Sequence, residues 1–194
     1  MTIAERVRTF AFTATMPAGL RDFALTAHIT SSVGWVGAVM AYLALVAGAT
    51  TSKEPQTVRA AWIAMELIGW SALVPLAIAS FVTGLIQSLG TPWGLFRHYW
   101  VIFKLLLTVF ATVILLEHMP TVSHFAAMEA LEDSARIGGL SGERLHAGGG
   151  LVVLLITTIL SVYKPRGVTP YGWRRQQTDR ARAMRRAEAT SRPV

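Results

Sequence analysis

Four long apolar stretches dominate this chain and leave little choice of architecture. They run roughly over residues 23–49, 60–89, 98–118 and 148–163. A helix needs about 20 mostly apolar residues to cross the hydrocarbon of a bilayer. Inside lipid the backbone must satisfy its own N–H and C=O groups, which favours helices for such segments. The fourth stretch is short and is extended by its glycine-rich start. The first begins late, is long and lacks a small-residue cleavage site, so it does not read as a removable signal peptide. The expected fold is all-α, an integral membrane four-helix bundle. An N-terminal segment covers 1–22, the transmembrane domain 23–164 with an outer loop at 119–147, and a basic tail 165–194. Composition agrees: of 194 residues, 53% are hydrophobic and only 15% charged, against about 25% charged in a soluble domain. That argues against a cytosolic globular enzyme. The chain has no cysteine, which excludes disulfides, thiolate metal sites, iron–sulfur clusters, covalent c-type haem and a cysteine nucleophile.

Charge sets the expected direction. The formal net charge is +7, and the tail accounts for all of it. Lys164, Arg166, Arg174, Arg175, Arg180, Arg182, Arg185, Arg186 and Arg192 face only Asp179 and Glu188. Arg6, Arg8, Arg21 and Arg97 fall on the same side as the tail. The opposite side has Lys53, Arg59, Arg136 and Arg144, diluted by Glu129, Glu132, Asp133 and Glu143. Lysine and arginine favour the cytoplasmic side, so both termini are expected to be cytoplasmic. Residues 174–190 read as a basic helix, solvated or lying on lipid. No aromatic interleaving or base-reading module accompanies its charge, so no nucleic acid is expected. Trp62, Trp93 and Trp100 are placed at membrane interfaces. Residues 121–136 read as an amphipathic helix on the outer surface, with Phe125, Met128 and Leu131 at helical spacing. Pro75 is expected to kink the second span. Gly34, Gly37 and Gly148 to Gly150 allow close helix approach, within one chain or in a homo-oligomer.

Ionisable groups inside a bilayer are costly and therefore mark candidate sites. Six stand out: His28, Glu66, His98, Lys104, His118 and His146. His28 lies in the cytoplasmic half of span one, where a neutral imidazole suits a haem or metal. Its plainer role is an interfacial hydrogen bond. Lys104, with Arg97 seven residues earlier on the same face, suits an anionic group such as a haem propionate; alternatively it snorkels to the interface. His98 sits about 120° away from that face. His118 points nearly the same way as Lys104 but lies at the other end of the span. His146 opens span four at a similar depth, and Glu66 lies in the outer half of span two. Two levels are thus expected. The inner level has His28, Lys104, Arg97 and His98. The outer level has His118, His146 and Glu66, as a bis-histidine site or a surface salt-bridge cluster. One haem b or two would fit two histidine levels.

Three segments carry a family resemblance. Span one contains Ala27-His28-Ile29-Thr30 and Gly34-Trp35-Val36-Gly37. Span two contains Met65-Glu66, Pro75 and Thr83-Gly84-Leu85. Span three contains Trp100, Lys104-Leu105 and His118. In this order, over roughly residues 24–120, the chain resembles the bacterial membrane-bound, haem-containing protoporphyrinogen oxidases and is similar to the copper-resistance D family. It looks closest to four-span actinobacterial membrane proteins that share these segments. The resemblance implies a bacterial inner membrane, His28 as an axial haem ligand, and Lys104 beside the porphyrin or its substrate. It departs from the oxidases at Ile102, where that family usually has histidine; the nearest substitute is His98.

The leading expectation is a b-type haem protein that transfers electrons or handles haem, working with a redox partner or a porphyrin. Non-covalent haem needs no cysteine. Alternatives are a porphyrinogen oxidase-like enzyme, with Lys104 and Arg97 holding substrate carboxylates, and transport of copper or another cation. For transport, Glu66, His118, His124 and His146 would supply ligands. A purely structural bundle supporting a partner complex is the fourth.

Overall fold

The structure is a computed structural model that describes residues 16–90, 94–131, 140–165 and 167–190. Arg6, Arg8, Trp93, Glu132, Asp133, Arg136, Arg166 and Arg192, which enter the reading above, lie outside the described residues. The described chain is all-helical: α1 (Ala18–Thr51), α2 (Pro55–Ile68), a π-helical turn (Gly69–Leu73), α3 (Val74–Gly90), α4 (Tyr99–Leu131), α5 (Leu140–Tyr163) and α6 (Pro170–Thr190). Four units are long and apolar enough to cross a membrane: α1, the run from α2 through α3, α4, and α5. The chain thus has the build of a multi-pass membrane protein.

The spans close into a ring. α1 packs on α2, α3 and α5, and α4 packs on the same three from the other side. One end of the bundle gathers the start of α1, the end of α3, the start of α4 and the end of α5. The tail helix α6 follows there, so this is the tail end; the opposite end is the distal end.

The second span is broken where Pro75 predicts it, and in a specific manner. Proline offers no N–H and its ring presses on the carbonyl four residues back, here that of Ser71. The turn before it opens into the π-helical Gly69–Leu73, a form that turns up repeatedly near functional sites. Gly69 lets Met119 of α4 reach this turn: a Cβ there would meet Met119 Cε at 2.3 Å.

Three expectations change. First, residues 121–131 are not a separate surface helix. They continue α4, which runs through Pro120, and Val122 and Ala126 are buried in the core. The cause is packing: Phe125 stacks on Trp62 with ring centroids 5.0 Å apart. Second, Trp62 is not an interfacial anchor but is fully buried. Third, the last span starts at Leu140 rather than near Gly148, which moves Glu143 from a loop onto a helix.

The tightest packing is distal. Val46, Ala49, Val58, Trp62, Met65, Met119, Val122 and Leu140 are all under 3% exposed and form one cluster. Charged side chains crowd the same end: Lys53, Glu54, Arg59, Glu66 and Glu117. α1, 34 residues long, rises about 50 Å, well beyond a hydrocarbon slab of about 30 Å. That excess length leaves room for the distal cluster, or distal cap, to stand clear of the hydrocarbon. Nearer the tail end the large apolar side chains of Phe103, Leu106, Phe110, Leu155 and Ile159 point outwards, as lipid-facing residues do.

Candidate functional site

The polar residues sort into a tail-end site, a distal site and a latch, and the partition differs from that expected.

The tail-end site is built on His28. Its Nδ1 lies 3.1 Å from the Ser80 carbonyl oxygen and 3.2 Å from Thr83 Oγ1. The Thr83 hydroxyl already donates to the Ala79 carbonyl at 2.6 Å, so towards the imidazole it accepts. Both neighbours of Nδ1 are then acceptors, which puts the proton on Nδ1 and leaves the Nε2 lone pair free of it. Gly84 supplies the space: a Cβ there would stand 3.0 Å from His28 Cε1. The ring lines a cavity of about 160 Å³ with Trp100, Lys104 and Thr108 of α4 and Ser80, Gly84 and Gln87 of α3. Lys104 Nζ donates to Ser161 Oγ of α5 at 2.7 Å. An ammonium has three protons to donate, so this bond tethers the side chain and leaves capacity for an anion.

Two residues expected at this level are elsewhere. Arg97 does not line the cavity; its Nη2 pairs with Asp179 Oδ2 of the tail helix at 3.0 Å. His98 does not line it either. Its backbone forms an isolated antiparallel bridge with Val168, and its ring lies beside Trp100. Both belong to the latch that holds α6. There Thr169 N–H donates to the Arg97 carbonyl at 3.0 Å, and Gly172 packs so closely that a Cβ would meet that carbonyl oxygen at 2.4 Å. The basic tail is thus docked through its first turn.

The distal site does bring His118 and His146 together. Their rings stack with centroids 4.0 Å apart and planes inclined by 10°. Axial ligands must instead approach an iron end-on from opposite sides. Rings in face-to-face contact leave no gap for a porphyrin, so the residues do not fit a bis-histidine haem. Glu66 is not with them. The carboxylate here is Glu143, 2% exposed. It accepts from His118 Nε2–H at 2.9 Å and from the Tyr42 hydroxyl at 2.6 Å. His146 Nδ1–H donates to the Gly142 carbonyl at 3.0 Å. Among the described residues no three His, Asp or Glu side chains gather as a metal-holding group. His124 is exposed, with its ring edge towards Phe125. Beside the cluster lies a cavity of about 320 Å³.

Sequence reasoning missed Tyr42, Ser80 and Thr83 as site residues and counted Glu143 as a loop charge. The spacing of Glu143 and His146, three residues apart, is a one-face helical signal that could have found the acid.

No protein-family model matches the chain, and no curated protein or solved structure compared with it is significantly similar.

Proposed function

We propose that the protein is a b-type haem-binding membrane protein with a single haem at the tail-end site, serving electron transfer or haem handling. The observation that carries this reading is the fixed His28 imidazole. Hydrogen bonding of the far ring nitrogen to a backbone carbonyl is how proteins orient a ligating histidine and set its tautomer. Here it leaves an unprotonated Nε2 on a ring that lines a cavity shared with a lysine. At about 160 Å³ that cavity is below the roughly 300–1,000 Å³ of ligand sites, so haem entry requires the lining helices to part. His28 would be the axial ligand, and Lys104 would hold a propionate; the haem would supply one-electron redox chemistry. Ser80 and Thr83 keep the ring from turning, and Ser161 tethers the Lys104 ammonium. The motifs of the first three spans support the same assignment, and both termini would face the cytoplasm of a bacterial inner membrane. Among the described residues His28 is the one imidazole that lines this cavity, so it would be the residue that holds the iron.

The test is the absorption spectrum of detergent-purified protein, expressed with haem supplied, oxidised and dithionite-reduced, with a pyridine haemochrome count. One haem per chain is expected, lost in His28→Ala, weakened in Lys104→Ala and retained in His118→Ala. A colourless protein, or colour that survives His28→Ala, would overturn the proposal.

A further inference from the structure

The distal cavity has a different character from the haem site proposed above, and its own geometry points to a ligand. Its walls are apolar: Trp35 and Val39 of α1, Phe110 and Ala111 of α4, Val153 and Leu154 of α5. Its polar atoms gather at one end, on Glu143, His118 and His146. Small residues keep it open on the α5 side. A Cβ built on Gly149 or Gly150 meets nothing within 4 Å, so the space is not filled by neighbouring side chains. At its edge Phe110 is 57% and Leu145 76% exposed. Both are exposed lining residues of α4 and α5, so the cavity opens laterally at these two helices.

We infer that this cavity binds the ring of a lipid-soluble quinone or quinol. Three features select that class. A space of about 320 Å³ lies in the range of small-molecule sites, which are mostly apolar with a few placed polar groups. The aromatic walls of Trp35 and Phe110 suit a flat ring, and sideways access suits a ligand whose apolar tail stays in lipid. The polar end suits oxygen poles. In its neutral form His146 has Nε2 as the acceptor, its Nδ1 proton being committed to Gly142, and that form can take a hydrogen bond from a quinol hydroxyl. His118 is held to Glu143 on one nitrogen, and Tyr42 shares the same carboxylate. That chain joins the cavity's polar end to a buried acid. A saturated lipid chain would fill the walls and leave the polar end without a partner, so it is the weaker occupant.

The experiment titrates a ubiquinone analogue carrying a decyl tail into the full chain in detergent and follows tryptophan fluorescence. Trp100 lines the other cavity, so the titration is run in Trp100→Phe. Saturable quenching is expected. It should be lost in Gly150→Leu, whose Cβ meets nothing within 4 Å and which puts a bulky side chain on the cavity wall. Affinity should fall about tenfold in His146→Ala, the loss of roughly one hydrogen bond. Trp35→Phe should remove most of the quenching signal. No saturation, or saturation untouched by Gly150→Leu, would overturn the inference. So would equal competition from decane, which carries no oxygen. His28→Ala should leave this titration unchanged, so failure of the haem reading and failure of this one are separable.

Discussion

Glu143 shows how much rests on one side chain. It is buried and serves two donors from two other helices, the Tyr42 hydroxyl and His118 Nε2–H. Removing an acceptor strands both. Each unsatisfied buried donor costs about 1–3 kcal/mol, so Glu143→Ala should lower the unfolding free energy by several times as much as Tyr42→Phe. Thermal unfolding of both variants in detergent checks the ratio. Trp62 makes the opposite case. Its Nε1 is buried without a hydrogen-bond partner, so Trp62→Phe removes an unsatisfied donor while keeping an aromatic face for Phe125. Its loss of stability should be well below the roughly 3–5 kcal/mol expected of an ordinary large aromatic truncated to alanine, and thermal melts of Trp62→Phe and Trp62→Ala would show it. His28, His118, His146 and Lys104 were legible in the sequence because charge in an apolar run is conspicuous. Ser80, Thr83 and Tyr42 were not, because hydroxyls are cheap in membrane helices and their roles depend on which helices touch.

At the scale of elements, the second span carries the main lesson. Its proline announced a break, but not that the break would be a π-helical turn. A π turn inserts the equivalent of one extra residue, which rotates the following helix by about 100° relative to a continuous α-helix. The buried faces of α2 (Trp62, Met65) and α3 (Ala77, Ser80) are set by that rotation. Pro75→Ala restores helix propensity, yet a regularised span could not bury both faces together. The variant should therefore be no more stable than the wild type, and haem binding through Ser80, Thr83 and His28 should weaken if the turn is lost. A melt and a haemochrome count on the same sample separate the two effects. The extension of α4 was hidden for a related reason. Phe125, Met128 and Leu131 have surface-helix spacing, and only the docking of Phe125 on Trp62 puts part of this segment inside.

For the molecule as a whole, four spans, their order and the neutral body with a basic tail were legible from hydropathy and charge alone. The latch was not. It is made by backbone groups of Arg97 and Thr169 and by the absence of a Cβ at Gly172, none of which has a composition signal. The exposed Arg97–Asp179 pair should contribute little, about 0–1 kcal/mol, whereas a side chain at Gly172 collides with the Arg97 carbonyl. Trypsin should therefore cut the tail several-fold faster in Gly172→Leu, and Asp179→Ala should stay near the wild-type rate. Orientation has a clean assay because the chain has no cysteine of its own. In intact cells an impermeant maleimide should label Ser52→Cys and not Thr178→Cys; the reverse pattern would invert the proposed topology.

The distal cap brings two different driving forces into one small protein. With its charged end in water, the cap would take side chains such as Val58, Trp62 and Val122 out of water as it forms, whereas a lipid-flanked half would gain only packing and hydrogen bonds over what lipid already offered. Burial from water carries a large heat-capacity change and weakens on cooling. The two halves should therefore respond unequally to cold: the cap loosens first, and hydrogen exchange near 0 °C should rise at Val58 and Val122 while Leu106 and Leu155 stay protected.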